Sequence, residues 1–568
     1  MGPGATEPNG EPERTVDVVV VGAGGGGLVA ALRARALGLT PLIIEKSEYI
    51  GGTSALSHGA LWLPTNPLGR EAGHEDSVED GVRYLQHVVG DQGPATSRRR
   101  QEAYVRGGDS LVRFLRDEGI VFRLIADYPD YYPEAPGARA EGRMVACPMI
   151  DGRALGEWSD RIRPRPPLPG GLVISAVEQF LALLSAGYSW PARAAVAKIA
   201  ANSLLMRVRG VQPLVMGQAY IGHLAKAARK RGIEVSLNTA LEELVEQDGR
   251  VVGVVARRGG RRITIRARRG VVCSAGGFAR NPGLRAKFGP HPASTDWTAV
   301  IAGDTGDAFT AATALGAATA NLDKAYWLPG LVNAKGVSSV FIAERCQPGS
   351  ILVDAAGRRF ANEAKSYMEL GNDQYRAQAI PAYLIVDSRH RRRYTLGDTP
   401  PSVPPRAWLA SGHLKKAPTL RELADRCGID PAGLEDTVRR FNRMAAAGVD
   451  EDFGRGSSAY DLVYGDPTNT PNPSLGPVAK PPFYAAKMMP TDVGMAGGLL
   501  TDEHARVLRE GGEPIPGLYA CGTTAASCMG DTYPGGGISL GQSSVFALLA
   551  VEHLASGAAG TVGGRSAG

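Results

Sequence analysis

The sequence predicts an α/β chain in which one domain is assembled from both ends of the polypeptide and an α+β domain is inserted between them. Three observations predict it. A short β-branched strand, a glycine-rich turn and an Ala/Leu-rich helix follow one another between Val16 and Leu37. A further strand, Gly517 to Cys521, runs into Gly522 near the other end. The 568 residues are too many for a single compact core, so two domains are expected, one of them discontinuous.

The first element is VDVVVVGAGGGGLVAALRARALGLTPLIIEK, Val16 to Lys46. Val18 to Val21 read as a strand buried on both faces. Gly22, Gly24 and Gly27 follow in G-x-G-x-x-G spacing. Gly22 permits the tight turn, Gly24 lets a pyrophosphate approach the backbone, and Gly27 lets helix and strand pack closely. The helix N-terminus offers free N–H groups to phosphate. A second strand, Pro41 to Ile44, ends in Glu45 and Lys46, and Glu45 is placed to accept hydrogen bonds from a ribose. This order of parts is a dinucleotide site, and by itself it leaves NAD and FAD both open.

Later segments separate them by resemblance. GGTSALSHGALWLP (Gly51 to Pro64) resembles the stretch that runs along pyrophosphate and flavin in flavoproteins of the fumarate-reductase and ketosteroid-dehydrogenase group. This likeness adds Gly51, Gly52, Thr53 and Ser54 to the cofactor set. Asp248 to Pro282 reads as hairpin strands ending in Ser274-Ala275-Gly276-Gly277, and in this group such a turn contacts the adenine side. PGLYACG, ending at Gly522, resembles the closing strand of two-dinucleotide FAD folds. The expected fold class is therefore α/β, a discontinuous Rossmann-like FAD-binding domain with an inserted α+β catalytic domain. The boundaries are a disordered tail over 1–14, FAD-binding parts over 15–288 and 487–557, a catalytic domain over 289–486, and a disordered tail over 558–568.

GDTYPGGGISLG, Gly530 to Gly541, precedes a helical apolar pattern beginning at Ile538. It resembles the segment of that flavoprotein group in which such a helix N-terminus faces the flavin, where its dipole would stabilise negative charge. Gly537, Ser539 and Leu540 join the cofactor set on that ground. Taken with DYPDYYPEAPGARAEGR, GDTGDAF and RRFANEAKSYMELG, this segment resembles the 3-ketosteroid Δ1-dehydrogenases, from about Val16 to Ala555. The resemblance implies noncovalent FAD, a 3-ketosteroid substrate in steroid degradation, and a catalytic set of Tyr131, Tyr367, Tyr533 and Gly537. It implies that Tyr533 and the Gly537 N–H stabilise the developing enolate oxygen. Tyr367 takes the C-2 proton with help from Tyr131, and the C-1 hydride leaves on the opposite face. A side chain at 537 is expected to intrude where the steroid lies. His58 is not expected to carry flavin. Asp304 and Asp307 are expected to be loop and helix-cap residues. The Δ4-(5α)-dehydrogenases and the fumarate-reductase-like enzymes remain the alternatives.

Composition excludes other classes. The chain is 43% hydrophobic and 21% charged with a net charge of +6, and no basic tract interleaves with aromatics, so nucleic-acid binding has no support. Six cysteines without a CxxC pair argue against a metal centre. The polar N-terminus lacks a secretory h-region, which sets the expectation of a cytoplasmic protein. A quinone or respiratory component is the expected electron acceptor. The segment 161–210 opens Pro/Arg-rich, is apolar and helical over Leu172 to Leu184, and then carries a second helix with Trp190 and basic flanks. It suits either peripheral contact with the cytoplasmic membrane or a hairpin buried against the protein or a second subunit.

Overall fold

The computed structural model describes residues 14–340 and 342–556. The expected tails lie outside the described residues, except that Arg14 already belongs to the first strand.

β1 (Arg14–Val21) is sealed from solvent at Val18, Val19 and Val20, as its β-branched run requires. α1 (Gly25–Ala36) follows, and β2 (Pro41–Ile44) returns parallel to β1. A Cβ on Gly27 would stand 1.9 Å from the Gly22 carbonyl oxygen, so helix and turn touch where no side chain fits. β3 (Ala60–Trp62), β4 (Arg123–Leu124) and β5 (Met144–Ala146) form a separate antiparallel sheet in the order β3-β5-β4. Ala60, Ala146 and Arg123 are in register, so their side chains share one face.

The 161–210 segment holds α2 (Val177–Ser185) and α3 (Trp190–Val208). The first helix starts at Val177 and not at Leu172, because Gln179 Oε1 accepts from the Ser175 N–H at 2.8 Å and turns the chain before the helix begins. β6 (Glu234–Ser236), β7 (Thr239–Gln247), β8 (Arg250–Arg258) and β9 (Arg261–Cys273) complete the first stretch of the cofactor-type domain.

The inserted domain carries β10 (Gly330–Val332), β11 (Ser338–Val340), β12 (Ser350–Val353), α4 (Tyr367–Arg376), β13 (Ala382–Val386), β14 (Leu414–Ala417) and β15 (Phe483–Met489). Its antiparallel sheet runs β11-β10-β15-β13-β12, with β14 also on β15. The boundary expected at 486 therefore falls inside a strand. β15 pairs with three neighbours, and cutting it would orphan their ladders, so the inserted sheet extends to Met489.

The chain then returns with β16 (Arg506–Leu508), β17 (Pro514–Ala520) and α5 (Ile538–Ser556). The first sheet runs β16-β17-β9-β1-β2-β6, with β8 on β9 and β7 on β8. Val21, Ile44, Cys273 and Ala520 stand level across it. The turns after them form one carboxyl edge, the place where open parallel sheets take ligands. α5 is long and apolar enough to cross a membrane, but 72% of its apolar window is buried in protein, against α1 and the Arg98–Asp117 helix.

Candidate active site

A cavity opens at that carboxyl edge. Gly22, Gly24, Glu45, Lys46, Gly52, Thr53, Ser54, Ala275, Gly276 and Gly522 line it. Of the other sequence-predicted cofactor residues, Gly537, Ser539 and Leu540 line the adjoining cavity described below, and Gly27 and Gly51 line neither. Gly27 is the packing contact described above, and Gly51 donates its N–H to the Ala23 carbonyl at 2.9 Å. Glu45 is buried and already engaged: its two oxygens accept from the Ala23 and Ser47 amides, each at 2.9 Å. Lys46 forms an ion pair with Asp307 at 2.7 Å.

Asp307 opens the Asp307–Ala314 helix, whose N-cap is Gly306, and Asp304 lies in the loop before it, as expected. Its carboxyl lines the cavity, and its buried Oδ1 has no hydrogen-bond partner. Burial, reinforced by Asp492, pushes its pKa up to about 7. A buried carboxyl oxygen without a partner, beside the glycine turns, is what a bound dinucleotide would satisfy. Folding stability owed to this group is full below its ordinary carboxylate value and is lost as pH rises toward 7. Affinity for an anionic dinucleotide follows the same sign. FAD binding to apoenzyme is expected to weaken by up to ~10-fold per pH unit above 7, and Asp304→Asn is expected to flatten that slope. Fluorescence titration of FAD from pH 6 to 9 reads it, and an identical slope in the variant would refute the assignment.

A second cavity adjoins the first and shares Thr53, Ser54, Asp304 and Gly522 with it. It is mainly apolar. Ala60, Met144, Ala146 and Arg123, the shared face of the β3-β5-β4 sheet, form one side, and Val177 and Phe180 of α2 form another. The insertion is therefore part of the cavity wall, which its sequence did not reveal. Arg123 clasps it by an ion pair to Glu178 at 3.1 Å. His58 also lines this cavity with its side chain open to it, and the protein packed around the cavity, aided by Arg165, lowers its pKa to about 4.

Tyr131, Tyr367, Tyr533 and Gly537 all line this cavity, although they come from four places in the chain. Tyr367 is the first residue of α4, and Tyr533 and Gly537 precede α5. Tyr131 sits in the loop between β4 and β5, where its N–H donates to the Pro534 carbonyl at 3.0 Å. That bond ties Tyr131 to the tyrosine-proline step. Beside it, buried Asp130 accepts from Trp62 Nε1 at 2.6 Å and pairs with Arg143 at 2.7 Å. Breaking such a buried pair costs about 3–5 kcal/mol, so the loop is firmly held. Tyr131 Oη donates to Tyr367 Oη at 3.1 Å. The Tyr533 ring centroid lies 5.0 Å from that of Tyr367 and 5.8 Å from that of Tyr131. The Tyr533 hydroxyl meets Ser539 Oγ at 3.3 Å. Ser539 and Leu540 line the same cavity.

The Gly537 N–H donates to no group among the described residues, so it is free to meet a ligand oxygen. The reason for glycine differs from the expected one. With φ +94°, a Cβ would strike the Ala60 carbonyl oxygen of β3 at 2.1 Å, not the cavity. Gly535 and Gly536 likewise yield to Trp62 and to Met144 Sδ. The three glycines pack the loop onto the β3-β5 sheet, and this packing aims the Gly537 amide.

Burial, and then the neighbouring phenols, push Tyr131 and Tyr367 well above the ordinary tyrosine range. Three further tyrosines crowd the pair. Tyr460 lies 4.3 Å from Tyr131 by ring centroid, and Tyr128 and Tyr464 share a 2.8 Å hydroxyl contact. Tyr128 shares the DYPDYYPEAPGARAEGR segment with Tyr131, but nothing in the sequence joins Tyr460 and Tyr464 to it. Two phenol donors, a bare amide and an apolar slot beside a dinucleotide site are equipped to polarise a ketone and remove the proton next to it.

Comparison with known proteins agrees with this geometry. Residues 17–540 match the FAD binding domain family. A 3-oxosteroid 1-dehydrogenase of Mycobacterium tuberculosis is 39% identical over 95% of this chain and 98% of its own length. The 3-ketosteroid Δ1-dehydrogenase of Sterolibacterium denitrificans, solved with 1,4-androstadiene-3,17-dione, superposes with TM-score 0.88 at 35% identity, over 96% of this chain and 100% of its own. A 3-ketosteroid Δ4-(5α)-dehydrogenase of Rhodococcus jostii reaches TM-score 0.63 at 23% identity over 98% and 100%, a likeness of fold alone. The chain is an FAD-dependent oxidoreductase of the FAD binding domain family and belongs, within it, to the 3-oxosteroid 1-dehydrogenases.

Proposed function

We propose that this enzyme introduces the 1,2 double bond into ring A of 3-ketosteroids. The observation that carries the reading is the convergence of Tyr131, Tyr367, Tyr533 and the free Gly537 amide on one apolar cavity that opens into the dinucleotide site. Tyr533 Oη and the Gly537 N–H hold the C-3 oxygen and stabilise it as it gains charge, about 3 kcal/mol for each donor. Tyr367 Oη receives the C-2 proton, with Tyr131 donating to it. The sheet face Ala60–Ala146 and α2 exclude water and orient the rings. FAD supplies the acceptor for the C-1 hydride when bound, held by Gly22, Gly24, Glu45, Lys46, Gly52, Thr53, Ser54, Ala275, Gly276 and Gly522. Anaerobic addition of 4-androstene-3,17-dione to holoenzyme is expected to bleach the flavin and yield the 1,4-diene. No bleaching would reject the steroid reading, and a product desaturated elsewhere would favour the Δ4-type reading.

We also infer a cytoplasmic enzyme attached peripherally to the membrane, passing electrons to a quinone or respiratory acceptor. What supports it is α3, where Trp190, Leu204, Leu205 and Val208 stand 77%, 59%, 45% and 77% exposed. Apolar residues with Trp and basic neighbours suit an interface. Trp190→Glu with Val208→Glu is expected to release the protein from anionic vesicles in flotation at low salt. Equal flotation of variant and parent would remove the idea.

A further inference from the structure

Of the two donors assigned to the C-3 oxygen, only the Gly537 N–H has its direction set by backbone. Tyr533 carries one hydroxyl proton, which turns about its C–O bond and can point into the cavity or away from it. The ring itself cannot swing. It is 4% exposed, with Tyr326 edge-on at 5.8 Å, Tyr367 at 5.0 Å and Tyr131 at 5.8 Å between ring centroids. Ring packing therefore fixes the oxygen and leaves the proton free to choose.

One side chain reaches that oxygen. Ser539 Oγ lies 3.3 Å from Tyr533 Oη, and no other group among the described residues hydrogen-bonds either hydroxyl. The neighbouring phenols are engaged elsewhere. Tyr131 Oη donates to Tyr367 Oη at 3.1 Å, and Tyr326 Oη accepts from Gln542 Nε2 at 3.4 Å.

The direction of the serine contact decides what Tyr533 can do. If Tyr533 donates to Ser539, its only proton is used and the ketone meets lone pairs. If Ser539 donates to Tyr533, the phenol accepts on one side and keeps its proton for the cavity. Only the second arrangement serves an oxyanion donor. It is also cooperative, because a hydroxyl that accepts a hydrogen bond donates a stronger one. A separation of 3.3 Å is long for two hydroxyls, and contacts at catalytic groups tighten when the reacting oxygen is seated.

The place of Ser539 in the fold suits this task. It is the second residue of α5 and lines the same cavity as Tyr533 and Gly537. The start of α5 is seated by Gly535, Gly536 and Gly537 against Trp62, Met144 and Ala60. The packing that aims the Gly537 amide thus also sets Ser539, and both donors take their direction from one helix start.

We propose that Ser539 is the positioning residue of the oxyanion site: its hydroxyl donates to Tyr533 Oη and so directs the single phenolic proton at the C-3 ketone oxygen. This role rests on the reading of Tyr533 as a ketone donor, and Ser539 acts through Tyr533 alone.

The test is a double-mutant cycle on holoenzyme, read by stopped-flow flavin reduction with 4-androstene-3,17-dione. Ser539→Ala is expected to slow reduction ~3–10-fold, the loss of one hydrogen bond made in the transition state, with FAD content and KM changed less than about twofold. In a Tyr533→Phe background the same substitution is expected to change the rate less than about twofold, because the hydroxyl it directs is gone. Ser539→Thr keeps the donor and is expected to return the rate to within about twofold of the parent. An equal loss from Ser539→Ala in both backgrounds, or a loss that follows FAD content, overturns the proposal. Tyr533→Phe that reduces flavin at the parent rate overturns the reading of Tyr533 itself, and is seen before Ser539 is touched.

Discussion

Tyr367→Phe is expected to fold, bind FAD and bind steroid, yet reduce flavin ~10²–10⁴-fold more slowly, the contribution of a positioned general base. The substitution removes one oxygen from a ring that is 7% exposed and leaves the contacts with Tyr131 and Tyr533 in place. Only the acceptor of the 3.1 Å bond from Tyr131 disappears. The loss should therefore fall on the chemical step and leave KM nearly unchanged, the signature of an interaction made in the transition state. Loss of hydrogen exchange at C-2 with deuterated solvent should accompany it, because that exchange needs the same base without the hydride step. Stopped-flow reduction and proton NMR read the two. A reduction rate within tenfold of the parent, or exchange that persists, would assign the base elsewhere.

The sequence made the cofactor-type half of the fold visible because its constraints are local. Val18–Val21, the glycine turn and α1 lie within one short stretch, and each residue's task can be read from its neighbours. The level alignment of Val21, Ile44, Cys273 and Ala520 follows from parallel pairing of strands that each announce themselves. The end of the inserted domain was less visible. β15 runs past 486 because β10, β13 and β14 all pair with it, and pairing across such separations leaves no mark in local pattern. The same reason hid α2 in the cavity wall and Tyr460 and Tyr464 around the Tyr131–Tyr367 pair. The four positions proposed to be catalytic were found through motif resemblance. Their convergence on one cavity and the 3.1 Å link between Tyr131 and Tyr367 belong to tertiary structure alone.

Gly537→Ala separates two explanations of one glycine. Were the methyl group to point at substrate, the variant would fold normally, keep its Tm and show a raised KM. The backbone says otherwise. At φ +94° a Cβ falls 2.1 Å from the Ala60 oxygen, 2.4 Å from the Ala60 carbonyl carbon and 2.9 Å from the Leu61 nitrogen. None of these is the movable end of a flexible side chain. Either the loop withdraws from β3 or β3 shifts, and a left-handed non-glycine residue adds about 1–3 kcal/mol of strain. Both responses displace the Gly537 amide, and a lost oxyanion donor costs about 10²–10³ in rate. Tyr533→Phe is the matched comparison, since it deletes the other donor without moving backbone. Gly537→Ala is expected to lower both Tm and kcat, and Tyr533→Phe to lower kcat alone. Differential scanning calorimetry beside steady-state assays decides it. An unchanged Tm with a raised KM in Gly537→Ala would restore the view that this glycine makes room for the steroid, and an oxyanion donor aimed by packing against β3 would have to be abandoned.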